Sequence, residues 1–246
     1  MKNFDDMERT PADACKTSAW YQALSSYTFP SSFIKLKPFE IQALADGQDS
    51  GKIVADVVER LRAPMKACPG NCFVFVDTAA PTDTERFEKK RGAVYSPASA
   101  WKVLAGSEKV RKAVSSGQSD FICIRPFRRM SKPREFRLFI YKGRLSAMSQ
   151  YWLIRHFRRL HGVKNIYWEK AEKFVQKISW LLPHPTIVMD VYFTAGLDIM
   201  IVDFNPWGPP TPPLLLRDWD RNWAVESGIQ LIPPPTMISG EVNVSF

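Results

Sequence analysis

Apolar residues recur along this chain with two different periods. Residues 51–63, "GKIVADVVERLRA", place their apolar side chains on one helical stripe, and Pro64 is expected to end that helix. The longer segment 165–182 repeats this spacing and predicts a second amphipathic helix. A third helix is indicated by its ends, because Ser96 is a favourable N-cap residue and Gly106 a favourable stop.

Alternating apolar and polar residues predict strands, which become frequent in the second half of the chain. The segments with this pattern are 31–37, 71–78, 120–127, 134–152 (a hairpin that turns at Lys142 and Gly143), 186–193 and 197–204. The last two are separated by Thr194, Ala195 and Gly196, which predicts a second hairpin. We therefore expect an α+β protein, with a short N-terminal α/β part followed by a mostly antiparallel sheet that carries helices.

Composition and charge narrow the class of protein. The 246 residues are 45% hydrophobic and 24% charged, which is typical of a globular protein with a substantial core. The net charge of +9 favours anionic partners, although it is equally compatible with a solubilising role. The first residues carry acids and no apolar core, and no uncharged stretch approaches the roughly 18 residues of a membrane span. We expect no signal peptide, no membrane partner and a cytoplasmic location.

The four cysteines do not predict a disulfide framework. Cys68 and Cys72 form a C-x3-C pair with no second Cys or His pair nearby, which is weak as a zinc site. Cys123 lies within an apolar strand and is expected to be a buried thiol. The pattern is that of a chain from a reducing compartment.

Two carboxylates interrupt the apolar strands of the last hairpin. Asp190 lies in "TIVMDVYF", Asp203 lies in "LDIMIVDF", and Asn205 shares the strand face of Asp203. Counting from Ala195 predicts an offset of about three residues, roughly 10 Å along the strands, unless a bulge alters the register. Two carboxylates and an amide oxygen on one face suit Mg²⁺. The alternative is that the two acids cap turns or pair with basic residues.

Two arginines on neighbouring strands could face such a site. Arg125 lies in "ICIRPF" and Arg137 in "KPREFRLF", where it alternates with apolar residues. An arginine beside a metal–phosphate site can bind phosphate or offset transferring charge, and cross-strand ion pairing is the alternative. The basic run at 153–162 is more typical of a solvated face, so nucleic acid is not expected as a partner. The glycine-rich motifs of P-loop and Rossmann nucleotide sites are absent from the sequence.

Several of these segments resemble the cell division cycle protein 123 family. The strongest likeness lies in "REFRLFIYKGRLSAMSQYW", "IVMDVYF" and "IMIVDFNPWGPPTPPLLLRDW", which match an E-F-R strand, a hairpin ending in S-Q, a D-x-Y strand and a D-F-N-P strand. Looser matches are "WYQALSSYTFPSSFIKL", "CFVFVDTAAPTD" and "ICIRPF". The resemblance extends from Trp20 to Trp219.

This resemblance implies an ATP-grasp-like fold, in which two lobes hold ATP and Mg²⁺ between them. By resemblance, Asp190, Asp203 and Asn205 are the magnesium ligands, Arg125 and Arg137 face the phosphates, and Phe127 lies near the nucleotide. Arg137 is the candidate catalytic residue. The implied organisation is a flexible N-terminus (1–17), an N-terminal lobe (18–118), a C-terminal lobe with the metal site (119–222) and a tail (223–246).

The implied function is that of an ATP-binding assembly or chaperone-type factor for a protein client such as a translation factor. The sequence departs from the family pattern at Phe75, where relatives carry a Lys or Arg for the phosphates, and also at Tyr151 and Pro212. Loss of a phosphate cation weakens ATP binding. Two alternatives stay open: an ATP-dependent carboxylate–amine ligase, and a catalytically inactive binding module that uses the basic surface.

Overall fold

The computed structural model describes residues 10–235 and contains two β-sheets with helices around them. The α-helices are α1 (Pro11–Ala14), α2 (Thr17–Leu24), α3 (Pro38–Ala45), α4 (Lys52–Ala67), α5 (Glu85–Lys90), α6 (Pro97–Ala105), α7 (Glu108–Ser115) and α8 (Arg158–Ile178). The strands are β1 (Ser32–Lys35), β2 (Cys72–Val76), β3 (Phe121–Pro126), β4 (Glu135–Tyr141), β5 (Arg144–Gln150), β6 (Ile187–Phe193), β7 (Ile199–Asn205) and β8 (Gly228–Gln230).

The first sheet has three antiparallel strands in the order β1-β3-β2. Its core is built from strand residues and from helices α3, α4, α6 and α7. Trp101 of α6 is fully buried there, and its indole N–H donates to the Gln48 carbonyl at 2.6 Å. That bond satisfies the one polar atom that the burial of this large side chain would otherwise leave without a partner.

The second sheet has five strands in the order β7-β6-β4-β5-β8, antiparallel except where β5 pairs with β8. Along β4, Phe136, Leu138 and Ile140 point to one face and form a core with the apolar stripe of α8. The β4–β5 hairpin turns at Lys142 and Gly143, whose positive φ angles of 51° and 76° are those of a tight hairpin turn. The opposite face of the sheet carries the polar side chains described below.

Helix α2 packs against the second sheet, although the chain continues from it into the first. Trp20 and Leu24 are 2% and 0% exposed and belong to the core cluster of the second sheet. The Trp20 ring meets Phe204 of β7 edge-on, with the ring centroids 5.2 Å apart. The Thr28 hydroxyl then donates to the Ile201 carbonyl at 2.7 Å, so the segment that leads into β1 is also bonded to β7.

Most predicted elements are present, and two helices differ in their bounds. Helix α4 passes through Pro64 to Ala67, whereas the sequence predicted a stop at Pro64. A proline near the end of a helix removes one backbone bond, and here the buried Leu61 and Met65 hold the last turns against the core. Helix α8 begins at Arg158 rather than near residue 165, because Leu160 extends its buried stripe.

The strand pairing can be compared with the two lobes that the sequence predicts. The boundaries of those lobes stay a prediction. Strand β3 falls within the predicted second lobe but pairs with β1 and β2, so the chain leaves the first sheet only after Pro126. Residues 10–17 of the predicted flexible N-terminus include α1, and Cys15 is 3% exposed. Strand β8 lies within the predicted tail. Residues 1–9 and 236–246 lie outside the described part of the chain.

Candidate functional site

A row of polar side chains crosses the second sheet, one from each strand. Asp203 of β7 is opposite Asp190 of β6, Asp190 is opposite Arg137 of β4, Arg137 is opposite Ser149 of β5, and Ser149 is opposite Gln230 of β8. Residues directly opposite one another on paired strands share a face. The structure therefore brings together Asp190 and Asp203, which the sequence predicted on one face about 10 Å apart, and Arg137, which it predicted on another strand.

A β-bulge in β7 creates the contact between the two aspartates. Val191 pairs with Ile201, but the next pair is Asp190 with Asp203, so Val202 is an extra residue on β7. The sequence-based offset of about three residues is wrong for this hairpin, because Phe193 pairs with Ile199 and the turn is centred on Gly196 rather than Ala195. That shift removes two residues of the offset, and the bulge removes the third. Without the bulge, Asp190 would face Val202, and the Asp203 side chain would point into the apolar core.

Asp190 is held by three hydrogen bonds from its neighbours. The Arg137 guanidinium donates in a bidentate arrangement, Nε to Oδ1 at 2.7 Å and Nη2 to Oδ2 at 2.8 Å. Asn205 donates Nδ2 to Oδ2 at 2.9 Å, which leaves its amide oxygen pointing away from Asp190. Burial acts to lower the pKa of Arg137, but its hydrogen bonds and charge interaction with Asp190 raise it.

Arg137 is bonded to the proline-rich segment as well as to Asp190. Its Nη1 donates to the Pro212 carbonyl at 2.9 Å, and the side chain as a whole is buried. Pro212 is one of the positions at which the sequence departs from the family pattern. Its backbone carbonyl thus contributes a contact to Arg137 that requires no particular side chain at position 212.

Asp203 has no comparable partner. One carboxylate oxygen accepts the N–H of Phe204 at 2.9 Å, and no ion pair to Asp203 is found among residues 10–235. Burial and the nearby negative charge of Asp190 raise the pKa of Asp203 to about 7, while the charge of Arg125 partly offsets this. A carboxylate so placed gains from any cation that neutralises it.

Arg125 links the first sheet to β7 through its guanidinium. Its Nε donates to the Ser31 hydroxyl at 2.8 Å, and its Nη1 donates to the carbonyl of the bulge residue Val202 at 2.9 Å. The side chain is 5% exposed, and burial lowers its pKa. Its Nη2 has no hydrogen-bond partner within residues 10–235. A buried donor of this kind is available to an anionic ligand.

Phe75, the residue at the expected Lys or Arg position, packs against Arg125. The guanidinium carbon lies 4.7 Å from the centroid of the Phe75 ring, and Phe75 is 6% exposed. A cation–π contact of this geometry stabilises the arginine in a site that carries few other partners. The Phe75 side chain therefore occupies the space expected for a Lys or Arg and packs against Arg125.

Phe127 lies one residue beyond β3 and is half-buried. Its backbone N–H donates to the Asn71 carbonyl at 2.8 Å, which fixes the chain direction after the strand. It follows Arg125 by two residues and so continues the same strand face. Its position next to a nucleotide stays a prediction.

Two residues near the row were not selected from the sequence. Burial, followed by the charge of Asp190, raises the pKa of Glu135 to about 7, and the positive charge of Lys132 partly offsets this. The Tyr151 ring lies 5.4 Å from the Arg137 guanidinium, and the charge of Asp190, followed by burial, raises its pKa to about 12. Glu135 precedes Arg137 by two residues, and residues two apart on a strand share a face. This spacing could have predicted that Glu135 lies near the row.

The donor set fits a hard divalent cation with few protein ligands. No group of three or more His, Cys, Asp and Glu side chains in the described part of the chain forms a metal cluster. The nearby oxygen atoms come from the Asp203 carboxylate, the Asn205 amide and Asp190, so the ligands offered are oxygens. Mg²⁺ uses one or two carboxylates and completes its octahedron with water and phosphate oxygens, so these residues fit it.

The basic run at 153–162 lies at the start of α8. Arg158 and Arg159 are exposed, whereas His156 and His161 both contact the Ile232 carbonyl, at 3.0 and 3.1 Å. The histidines thus hold the segment after β8. Within residues 10–235, none of the helices combines the length and hydropathy needed to cross a membrane.

Comparison with solved structures first defines the fold. Over 91% of this chain and 97% of the other, the structure matches that of C-terminally truncated Cdc123 from Schizosaccharomyces pombe, with a TM-score of 0.79 and 20% sequence identity. A second structure of Cdc123 from the same organism matches with a TM-score of 0.73 and 19% identity. The α+β fold class, with its mostly antiparallel second sheet, is confirmed as that of Cdc123.

Sequence comparison then gives the family. The family model D123 matches residues 99–222, about half of the chain, and the chain belongs to the D123 family. It is 27% identical over 223 residues to the CDC123-like protein L884 of Acanthamoeba polyphaga mimivirus, covering 83% of this chain and 68% of that protein. It is 31% identical over 117 residues to the translation initiation factor eIF2 assembly protein of Xenopus tropicalis, covering 45% and 35%. The resemblance to the cell division cycle protein 123 family is confirmed.

Proposed function

We propose that this protein binds Mg-ATP at the polar row and acts as an assembly factor for a protein partner. The observation that carries the proposal is the bulge at Val202, which sets Asp203 opposite Asp190, where it forms no ion pair with any of residues 10–235. Placing the half-buried Asp203 beside the buried Asp190 costs free energy unless a positive charge compensates the two carboxylates. A bound divalent cation supplies that charge.

Asp203, Asp190 and Asn205 would hold the magnesium ion in this proposal. The ion, when bound, neutralises phosphate charge and orients the β- and γ-phosphates. Arg125 would contribute its buried Nη2 as a donor to a phosphate oxygen, and Phe75 keeps the guanidinium in position. Arg137 orients Asp190 through its bidentate hydrogen bonds, and its two remaining N–H groups can donate to a phosphate oxygen.

The protein partner is proposed by family membership. The Xenopus relative is named a translation initiation factor eIF2 assembly protein, and this chain spans 35% of that relative's length. We infer that the partner here is also a subunit of an assembling protein complex, with a translation initiation factor as the first candidate. The test is co-purification of the full chain with translation initiation factor 2 subunits, with and without Mg-ATP. Absence of binding under both conditions would remove that client.

The nucleotide site is tested by thermal melts of wild type, Asp203→Asn and Asp198→Asn. Asp198 lies on the same hairpin but is exposed, so it is a matched control for the loss of one carboxylate. Wild type and Asp198→Asn should gain a few degrees in Tm with millimolar Mg-ATP, and Asp203→Asn should gain none. Without nucleotide at pH 8, Asp203→Asn should melt above wild type, because the buried negative charge is gone. An equal Mg-ATP shift in all three proteins would contradict the proposal.

A further inference from the structure

Two cysteines enclose the turn that connects α4 to β2. Cys68 caps the C-terminus of α4, and Cys72 is the first residue of β2. The chain reverses direction between them through Pro69, Gly70 and Asn71, and Gly70 has a φ of 89° that favours glycine. The reversal brings the two ends of a five-residue segment towards each other.

Both sulfur atoms contact the same end of α4. Cys68 Sγ is 3.6 Å from the Pro64 carbonyl, and Cys72 Sγ is 3.6 Å from the Met65 carbonyl. These are consecutive carbonyls of the last helical turn, which point in the same direction along the axis. The two thiols are therefore neighbours over the helix end. Burial, followed by the nearby Cys68 thiol, raises the pKa of Cys72 to about 12.

The pair differs from the other cysteines in both access and neighbours. Cys68 is partly exposed, whereas Cys72 is 2% exposed. Cys15 and Cys123 are 3% and 0% exposed, and they lie on other elements of the fold. An oxidant in solution therefore meets Cys68 first, and Cys72 is the sulfur that can then react with it.

We propose that Cys68 and Cys72 are a redox modification site that forms an intramolecular disulfide with a peroxide as oxidant. Cys68 attacks hydrogen peroxide, the O–O bond breaks, and the products are a Cys68 sulfenic acid and one water. Cys72 then attacks the sulfenic sulfur, the S–S bond forms, and a second water leaves with the Cys72 proton. The two thiols lose two electrons in total, and the peroxide is reduced to two waters.

The turn geometry favours this bond over further oxidation of Cys68. A disulfide needs Cα atoms roughly 4.4–6.8 Å apart, a separation that the five-residue reversal permits with little movement of the backbone. Because both sulfurs lie over the same end of α4, Cys72 is present at a high effective concentration against the sulfenic acid. The bond would fasten the end of α4 to the first residue of β2, three residues before Phe75. This proposal is independent of nucleotide binding.

The experiment treats the full chain with a few equivalents of hydrogen peroxide and maps the tryptic peptides by mass spectrometry. Residues 67–86 contain no internal Lys or Arg, so both cysteines fall in one peptide. We expect this peptide to lose about 2 Da and to recover its mass after dithiothreitol. The count of free thiols in the denatured protein should fall from four to two, and no disulfide-linked dimer should form.

Two variants provide the controls. Cys68→Ser should abolish the mass loss in peptide 67–86, and Cys15→Ser, which removes a distant thiol, should leave that mass loss unchanged. Circular dichroism of both variants checks that they are folded. If a variant does not fold, the peptide map of the wild-type protein still tests the proposal. Oxidation of Cys68 to a sulfinic acid without loss of about 2 Da, or a disulfide to Cys15 or Cys123, would overturn the proposal.

Discussion

Glu135 and Asp203 are acidic side chains whose surroundings favour the protonated form. Each has a pKa of about 7, and in each case burial is the largest cause, followed by the charge of Asp190. In the unfolded chain both would be ionised above about pH 5. Between that pH and neutrality, the folded protein therefore holds protons that the unfolded chain releases.

The stability of the protein should therefore fall as the pH rises from about 4.5 to 7 and change little from these groups above that range. This follows because unfolding releases protons in that window, which makes unfolding more favourable at higher pH. Glu135→Gln should remove part of the slope and raise the free energy of unfolding at pH 8 by roughly 1–3 kcal/mol. Urea denaturation at several pH values measures both effects.

The matched control for that measurement is Glu169→Gln, because Glu169 is exposed on α8. Its pH profile should follow that of wild type. A steeper fall in stability for Glu135→Gln than for wild type would show that the Glu135 carboxylate is ionised and compensated in the folded state.

Residue types and local spacing placed Asp190, Asp203 and Asn205 on one face of the last hairpin, and the family resemblance added Arg137. Their detailed contacts were not predictable, because they depend on distant parts of the chain. Arg125 and Val202 are 77 residues apart in the sequence, and Arg137 and Pro212 are 75 residues apart. The role of Phe75 was likewise hidden, since its partner Arg125 lies on another strand.

At the scale of elements, helix ends and hairpin turns could be predicted because they depend on adjacent residues. The Ser96 hydroxyl accepts the N–H of Ser99, as expected of an N-cap, and the β4–β5 hairpin turns at Lys142 and Gly143. The bulge in β7 could not be predicted in the same way. Val202 lies in a continuous apolar run, where no polar residue marks the change of face, and the bulge carbonyl is satisfied from another sheet.

Helix α4 offers a test of the one proline that the structure retains inside a helix. Pro64→Ala adds an N–H that can bond to the Arg60 carbonyl, and it also increases the conformational freedom of the unfolded chain. The first effect is the larger, so we expect a gain of about 1 kcal/mol in the free energy of unfolding. Urea denaturation monitored by circular dichroism measures it.

Pro69→Ala is the appropriate control, because Pro69 lies in the turn beyond α4 and has no helical carbonyl to satisfy. It should lose stability by a few tenths to 1 kcal/mol through the unfolded state alone. A loss of stability in Pro64→Ala would mean that the fixed φ of Pro64 matters more to α4 than the missing hydrogen bond.

At the scale of the whole molecule, Arg125 joins the two sheets. It extends from β3 to Ser31 before β1 and to Val202 on β7, and one face of its guanidinium packs on Phe75. These contacts bring a donor from the first sheet to the edge of the polar row on the second. The site that we propose therefore depends on both sheets.

Arg125→Gln should weaken the contact between the two sheets without removing an apolar side chain from either core. The shorter amide cannot satisfy both Ser31 and the Val202 carbonyl, and a buried carbonyl without a donor costs roughly 1–3 kcal/mol. Hydrogen exchange should become faster in β7 while the amides of β4 stay protected. Arg128→Gln, an exposed change three residues away, should leave both unchanged. Equal protection of β7 in Arg125→Gln and wild type would show that the sheets are held together by other contacts.

Helix α2 has a consequence for how the protein is made. Trp20 and Leu24 leave the ribosome early, yet the strands that bury them, β6 and β7, are among the last elements to be synthesised. The first sheet can assemble with α2 attached to it, because the Thr17 N–H and hydroxyl both donate to the Asp77 carbonyl just after β2. Trp20 and Leu24, however, stay without their core until β6 and β7 have emerged. Fragments cut between the two sheets would therefore separate α2 from its core, and neither piece would be a complete folding unit.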